Sequence, residues 1–296
     1  MLDFTPNAVH TGIYAAIARG LDRTRRVSLH AIVPSASTDS ISLLAARRVD
    51  FAILDIHDLA IARERGVPLV GIMAIVQRPL SAVIAAPTVL TPRQLERRTV
   101  GITGVPSDTA VLDSIVAGAG GHPRRLRTIT IGFDAVADLL AGRVAGATAF
   151  WNDEGVTLQR DRPGFHVFRV DQYGAPAYPE LVVCTTEAEL HTDPELAQAV
   201  VSALVAGYRF TLAEPSQAAK DLERLVPGLD PALVAAQLHA LLPAFRGAHG
   251  PVGELDPAVL ARWAEWETRF GIVSRRPDVS AMFDPSFART ANSAAG

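Results

Sequence analysis

Short β-rich runs alternate with helical periodicity from the first residues of the chain, and the alternation restarts once. The opening "LDFTPNAVHTG" reads as a brief strand, a Pro-Asn corner and a helix from about Ala8 to Arg19. The strand "VSLHAIV" precedes a helix from about Thr38 to Arg47, and "VDFAIL" precedes a helix from about Ile56 to Glu64. "PLVGIMAIV" and "SAVIAA" follow as strands. After Pro87 the rhythm begins again: "TVGIT", "RTITI" and "GATAF" each lead into a helix, and "FHVFRV" closes the series. Such an order implies an α/β protein with mixed, mostly parallel sheets.

"ELVVCTT" reads as a strand leading back, and helical pattern dominates from Asp193 onward. Three of these helices open with Asp-Pro, an N-cap followed by proline in the first turn. Two extended segments, near Ile84 to Thr88 and near Glu180 to Thr185, join the two α/β units. Two lobes on a two-segment hinge are therefore expected: residues 1–85 and 184–296 in the first, and 86–183 in the second. The tail from Arg275 to Gly296, mixed in Pro, Ser, Ala and Arg, is expected to pack loosely or to wrap on the surface.

With 49% apolar and 20% charged residues among 296, the chain can build a sizeable core. A formal net charge of -3 gives no basic face for a nucleic-acid backbone, so no nucleic-acid partner is expected. Cys184 is the sole cysteine, which excludes an internal disulfide and cysteine-rich metal sites. No run reaches the ~18 uncharged apolar residues of a membrane span, and no secretory signal is visible at the start.

Ligands of open α/β sheets bind at the carboxyl ends of the strands, where helix N-termini leave N–H groups unpaired. The turns there are "TPNAVH", "PSASTD" and "DIHD" in the first unit, and "TGVPSDT", "GFD" and "FWNDEG" in the second. Each candidate has a plain structural reading beside the functional one. Asn7 can serve as an N-cap, His10 as a satisfied buried histidine, and the Ser35 to Thr38 turn as a cap. Asp58 and Glu154 can be first-turn acids, and Trp151 can be packing. Trp263 and Trp266, spaced i,i+3 on an amphipathic helix, read as core.

These segments carry a resemblance. "LDFTPNAVHTGIYAA", "FWNDEG" and "DQYGAPAYPELVVCTT" resemble the substrate-binding proteins of bacterial pyrimidine (thiamine-precursor) importers of the ABC type, a family shared with the eukaryotic thiamine pyrimidine synthases. The resemblance runs from Leu2 to about Ile272. It implies a type II periplasmic binding protein fold that closes on one small heteroaromatic ligand and delivers it to a membrane permease. Asn7, His10, Ser37, Thr38, Asp58, Trp151, Asn152, Glu154, Tyr173, Tyr178 and Glu180 are then the expected ligand-binding residues. The aromatic rings would stack on the ligand while the acids accept from its amino and ring N–H groups.

The synthases' lysine and the histidine four residues after it fall at Leu54 and Asp58 here, and their cysteine-rich motif is absent. No catalytic residue, cofactor or metal is therefore expected. The protein is expected to be a monomer acting outside the cytoplasm, with a leader upstream of Met1 and in one form a lipid anchor. A synthase-like enzyme and a cytoplasmic ligand sensor are the alternatives. An excess of acids over bases among the six turns argues against a sulfonate or nitrate ligand.

Overall fold

The computed structural model describes every residue except Ser37, Pro106, residues 247–249 and residues 295–296. The strands are β1 (Ala52–Asp55), β2 (Leu69–Ala74), β3 (Ser81–Ala85), β4 (Thr99–Ile102), β5 (Arg127–Thr130), β6 (Gly146–Phe150), β7 (His166–Arg169) and β8 (Leu181–Thr186). The helices are α1 (Thr11–Ala18), α2 (Asp39–Ala45), α3 (Ile56–Glu64), α4 (Asp108–Gly118), α5 (Ala135–Leu140), α6 (Glu154–Asp161) and α7 (Glu187–Thr192). They continue with α8 (Pro194–Ala213), α9 (Pro215–Leu225), α10 (Pro231–Leu241), α11 (Pro257–Arg269), α12 (Val279–Met282) and α13 (Ser286–Ser293).

Two sheets result, in the orders β1-β8-β2 and β5-β4-β6-β3-β7, so the protein is α/β with two lobes. The five-stranded sheet is mixed, and the three-stranded one is antiparallel. β4 runs parallel to β5 and β6, as the alternating pattern implies, but β8 is antiparallel to β1 and β2, and β3 is antiparallel to β6 and β7. The reason is topological: β3 and β8 are the strands that arrive directly from the other lobe, without a crossover helix to reverse them.

That placement also moves the boundaries. β3 lies in the five-stranded sheet, so the outward crossing occupies residues 75–80 and not the neighbourhood of Ile84 to Thr88. The return crossing ends at β8, which begins at Leu181. Two other expectations fail. Residues 27–33 form no strand, because their backbone bonds among the described residues, Leu2 N–H to the Ile32 carbonyl (2.8 Å) and Val27 N–H to the Asp22 carbonyl (3.2 Å), make no ladder. The tail is packed, with Phe283 bridging to Gly71 on β2 and Phe287 buried against the first lobe.

The terminal helices are built as their Asp-Pro openings imply. Asp193, Asp230 and Asp256 cap α8, α10 and α11 through their side chains, each followed by proline at the first helical position. Among the described residues, only α8 is long and apolar enough to cross a membrane by length and composition. It serves instead as the spine of the first lobe, burying Val200, Val201, Leu204 and Tyr208. A Cβ on its Gly207 would lie 1.9 Å from the Gly12 carbonyl oxygen, so α1 and α8 touch backbone to backbone. The Tyr208 hydroxyl then donates to the Val9 carbonyl (2.8 Å), fixing where α1 begins.

Candidate functional site

Between the lobes lies a cavity of about 100 Å³; four of the six strand-end turns line it, and the other two border it through the adjacent residues Phe4 and Ser40. The first lobe contributes Asp3, Phe4, Ser40, Asp55 and Asp58; the second contributes Thr103, Ser107, Asp108, Phe133, Phe150 and Glu154. No lysine, arginine or histidine lines it among the described residues. Apolar walls come from Ile41, Leu54, Val105 and Val111, so the acids sit against surfaces of low dielectric.

Burial sets the charge state of these acids. Asp58, in the first turn of α3, is pushed up to about 7 by burial and then by Asp108 across the cleft. Burial also raises Asp108, against the donors that favour its charged form: Thr103 Oγ1 (2.8 Å), Gly104 N–H (2.7 Å) and Thr148 Oγ1 (3.1 Å). Glu154 reaches about 8 through burial and the neighbouring Asp153 carboxylate. It receives the Phe150 N–H (3.1 Å), which ties the β6 end to α6.

The lobes meet through named contacts. Ser107 N–H points at Asp58 Oδ1 (3.3 Å), and Phe4 meets Phe133 edge to face with ring centroids 4.5 Å apart. The Asn7 side-chain amide donates to Asp153 (2.9 Å), and Gln237 on α10 donates to the other oxygen of the same carboxylate.

Of the residues expected from the sequence, Asp58 and Glu154 line the cavity. Asn7 and His10 stand one layer behind it. Asn7 accepts the Val9 N–H (2.8 Å) as the N-cap of a short 3-10 turn, Ala8–His10. His10 Nδ1 accepts the Asn7 N–H (3.1 Å), which leaves the proton on Nε2 to be donated to Asp3 Oδ1 (2.9 Å). His10 therefore orients Asp3, and Asp3 is the side chain that faces the cavity. Thr38 is exposed at the start of α2 and away from the lining, while Ser37 lies outside the described residues.

Trp151, Asn152, Tyr173, Tyr178 and Glu180 do not line the cavity, because each is committed elsewhere or turned away. The Trp151 indole N–H donates to the Pro79 carbonyl (2.9 Å), and Arg169 stacks over its ring at 4.3 Å. Asn152 is buried, with neither amide atom hydrogen-bonded among the described residues. Tyr173 packs edge-on against Phe168. Glu180 accepts the Leu80 N–H (2.6 Å), the Ser81 N–H (2.8 Å) and the Ser81 hydroxyl (2.9 Å), so it ties the two hinge crossings to each other.

Beside Glu180 the Tyr178 hydroxyl meets His57 Nε2 (3.0 Å), and His57 Nδ1 meets Glu267 on α11. Burial lowers the His57 pKa, but the Glu267 and Asp55 carboxylates outweigh it and hold the imidazole at about 10. A buried cation thus balances the acids behind the hinge. Asp55 spans the two regions, receiving the His57 N–H at the start of α3 (2.8 Å) and facing the cavity.

Asp3, Phe4, Asp55, Asp108 and Phe133 were not singled out from the sequence, although all five sit within the turns read as cleft-facing or beside them. The strand-end position was the available signal. Which residue of a turn points inward depends on caps such as Asn7 and is invisible in a pattern.

The family model described as NMT1/THI5 like matches residues 7–218. The chain belongs to the NMT1/THI5-like family. It is 30% identical over 266 residues to the formylaminopyrimidine-binding protein of Halalkalibacterium halodurans, covering 86% of this chain and 80% of that protein. It is 22% identical over 250 residues to the 4-amino-5-hydroxymethyl-2-methylpyrimidine phosphate synthase of Legionella pneumophila, covering 83% and 78%. Among solved structures, the alkanesulfonate-binding protein of Xanthomonas axonopodis pv. citri superposes with a TM-score of 0.74 at 15% identity, covering 94% of this chain and 95% of that one. That likeness establishes the periplasmic binding protein fold.

Proposed function

We propose that this member of the NMT1/THI5-like family is the solute receptor of an ABC-type importer, working outside the cytoplasm as a monomer. It closes its cleft around an aminopyrimidine and presents the closed form to a membrane permease. The observation that carries this reading is the acid-lined interlobe cavity, in which Asp58 and Glu154 face ring-sized apolar walls with no basic residue among them. The Asp58 carboxylate can accept from the exocyclic amine of an aminopyrimidine and a protonated Glu154 can donate to a ring nitrogen, while Phe4, Phe133 and Phe150 cover its faces. The formylaminopyrimidine-binding relative supports the ligand class. Sulfonate and nitrate receptors share the fold, but an anion in this cleft would find no basic side chain among the described residues and five carboxyl groups around it.

Binding without turnover is part of the proposal. Leu54, where the resemblance places the synthases' lysine, is a buried leucine in the cavity wall, and the sole lysine, Lys220, is exposed on α9. The Legionella synthase keeps an enzyme of pyrimidine chemistry as the second reading. Calorimetric titration with 4-amino-5-hydroxymethyl-2-methylpyrimidine and its 5-substituted analogues tests the first. Saturable binding with a unit stoichiometry and unchanged ligand on recovery is expected. Failure of every pyrimidine to bind, with binding of an alkanesulfonate, overturns it.

A further inference from the structure

Building on that reading of the cleft, we propose that the ligand is an organic cation. Its charged amine sits between the lobes at Asp58 and beside Asp108, so that the ligand's positive charge itself drives closure. Asp58 is on α3 of the first lobe and Asp108 begins α4 of the second, and both line the cavity. They are brought together by the cross-cleft approach of Ser107 N–H to Asp58 Oδ1 (3.3 Å). The two acids play different parts. Asp108 has its oxygens engaged by Thr103, Gly104 and Thr148, so it contributes a fixed field more than a contact. Among the described residues Asp58 is held only from Ser107, which leaves it as the side chain able to turn toward a ligand.

Asp3, Asp55 and Glu154 complete a lining of five carboxyl groups without a lysine, arginine or histidine among the described residues. Closing two lobes that each bring acids to a low-dielectric gap raises those carboxyls and costs free energy wherever they ionise with nothing positive between them. A cation between them reverses the sign: it is bound more strongly by the closed form than by either lobe alone. Differential affinity of this kind is what shifts an open and closed equilibrium. A neutral ligand of the same shape gains the ring contacts with Phe4 and Phe133 but not the interlobe attraction. The favoured class is therefore an aminopyrimidine bearing a free alkylamine, in preference to its hydroxyl, acylated or phosphorylated counterparts.

The test uses three probes on one ring, the 5-aminomethyl, 5-hydroxymethyl and 5-formylaminomethyl derivatives of 4-amino-2-methylpyrimidine, titrated calorimetrically into the whole chain at neutral pH. The aminomethyl cation should bind at least ~10-fold tighter than either neutral probe, a preference of ~1.4 kcal/mol. Its affinity alone should fall with added salt, and it alone should contract the protein in small-angle scattering. Asp58→Asn should lower the cation-to-neutral ratio toward one. Because the wild-type ratio and its salt dependence need no variant, the test survives a poorly folding substitution. Equal or tighter binding of a neutral probe, or equal losses for all probes in D58N, overturns the charge requirement while leaving a pyrimidine receptor standing. Binding of none of the three overturns the pyrimidine reading itself.

Discussion

Asn7 on the first lobe donates its side-chain amide to Asp153 on the second at 2.9 Å, so the residue that caps the opening turn also fastens the two halves together. Its carbonyl oxygen serves the cap and its nitrogen serves the closure. Asn7→Asp keeps an acceptor for the Val9 N–H but places a second carboxylate against Asp153. Closure should then be opposed, and ligand affinity should fall by roughly ten-fold, the equivalent of ~1.4 kcal/mol. Calorimetric titration reads the affinity, and small-angle scattering reads the open form. Unchanged affinity would show that the contact does not contribute to closure.

Gly207 has no room for a side chain. A Cβ there would lie 1.9 Å from the Gly12 carbonyl oxygen, a backbone atom that can move only by separating α1 from α8. Gly207→Ala should destabilise the protein by roughly 2–4 kcal/mol, within the range of overpacked cores. Chemical denaturation measures it. Gly228→Ala makes a useful comparison: its φ of +93° costs conformational strain, but a Cβ there meets nothing within 4 Å, so a loss of only ~1 kcal/mol is expected.

Glu180 joins the hinge segments through the Leu80 and Ser81 N–H groups. Glu180→Ala strips a buried, charge-assisted acceptor from two backbone donors and should cost roughly 2–4 kcal/mol. Glu180→Gln retains one carbonyl acceptor and should lose about half as much. Hydrogen exchange at Leu80 and Ser81 would locate the effect, and exchange rates equal to wild type in the alanine variant would remove the hinge role.

Stability should depend on pH through Glu154. Its carboxyl is raised from 4.5 to about 8 by burial and by Asp153, with Asp3 adding a smaller push. The folded protein therefore holds a proton that the unfolded chain releases near 4.5, and that stabilisation is present at low pH and lost as pH rises through about 8. Each unit of difference is worth ~1.4 kcal/mol, so wild type should lose on the order of 4 kcal/mol relative to Glu154→Gln between pH 5 and about pH 8. Melting temperatures of both proteins from pH 5 to pH 9 give the comparison; parallel curves would refute the assignment.

Cys184 is buried in β8, where burial raises its thiol. It should resist alkylation in the native protein and react only on unfolding. Reaction with a thiol reagent at native rates would contradict its placement.

The chain's pattern was sufficient for most of the architecture. Alternating β-runs and helical stretches specify two α/β units because each unit can bury its apolar faces only against its own sheet. The Asp-Pro pairs mark helix starts because side-chain caps act within a few residues, so Asp193, Asp230 and Asp256 are legible without any tertiary knowledge. Local chemistry also brought the six strand-end turns into view, and Asp58 and Glu154 with them.

Tertiary structure decided the rest, since it depends on contacts distant along the chain. Residues 27–33 have the composition of a strand but no neighbour to complete a ladder. Trp151, Tyr178 and Glu180 have the chemistry of ligand contacts, yet Pro79, His57 and the Leu80–Ser81 amides engage them first. Asp3 and Asp108 look ordinary in sequence and face the cavity only because His10 and the Thr103–Gly104 turn aim them there. A sequence determines which groups a turn can offer; hydrogen bonds from far along the chain determine which of them remain free to meet a ligand.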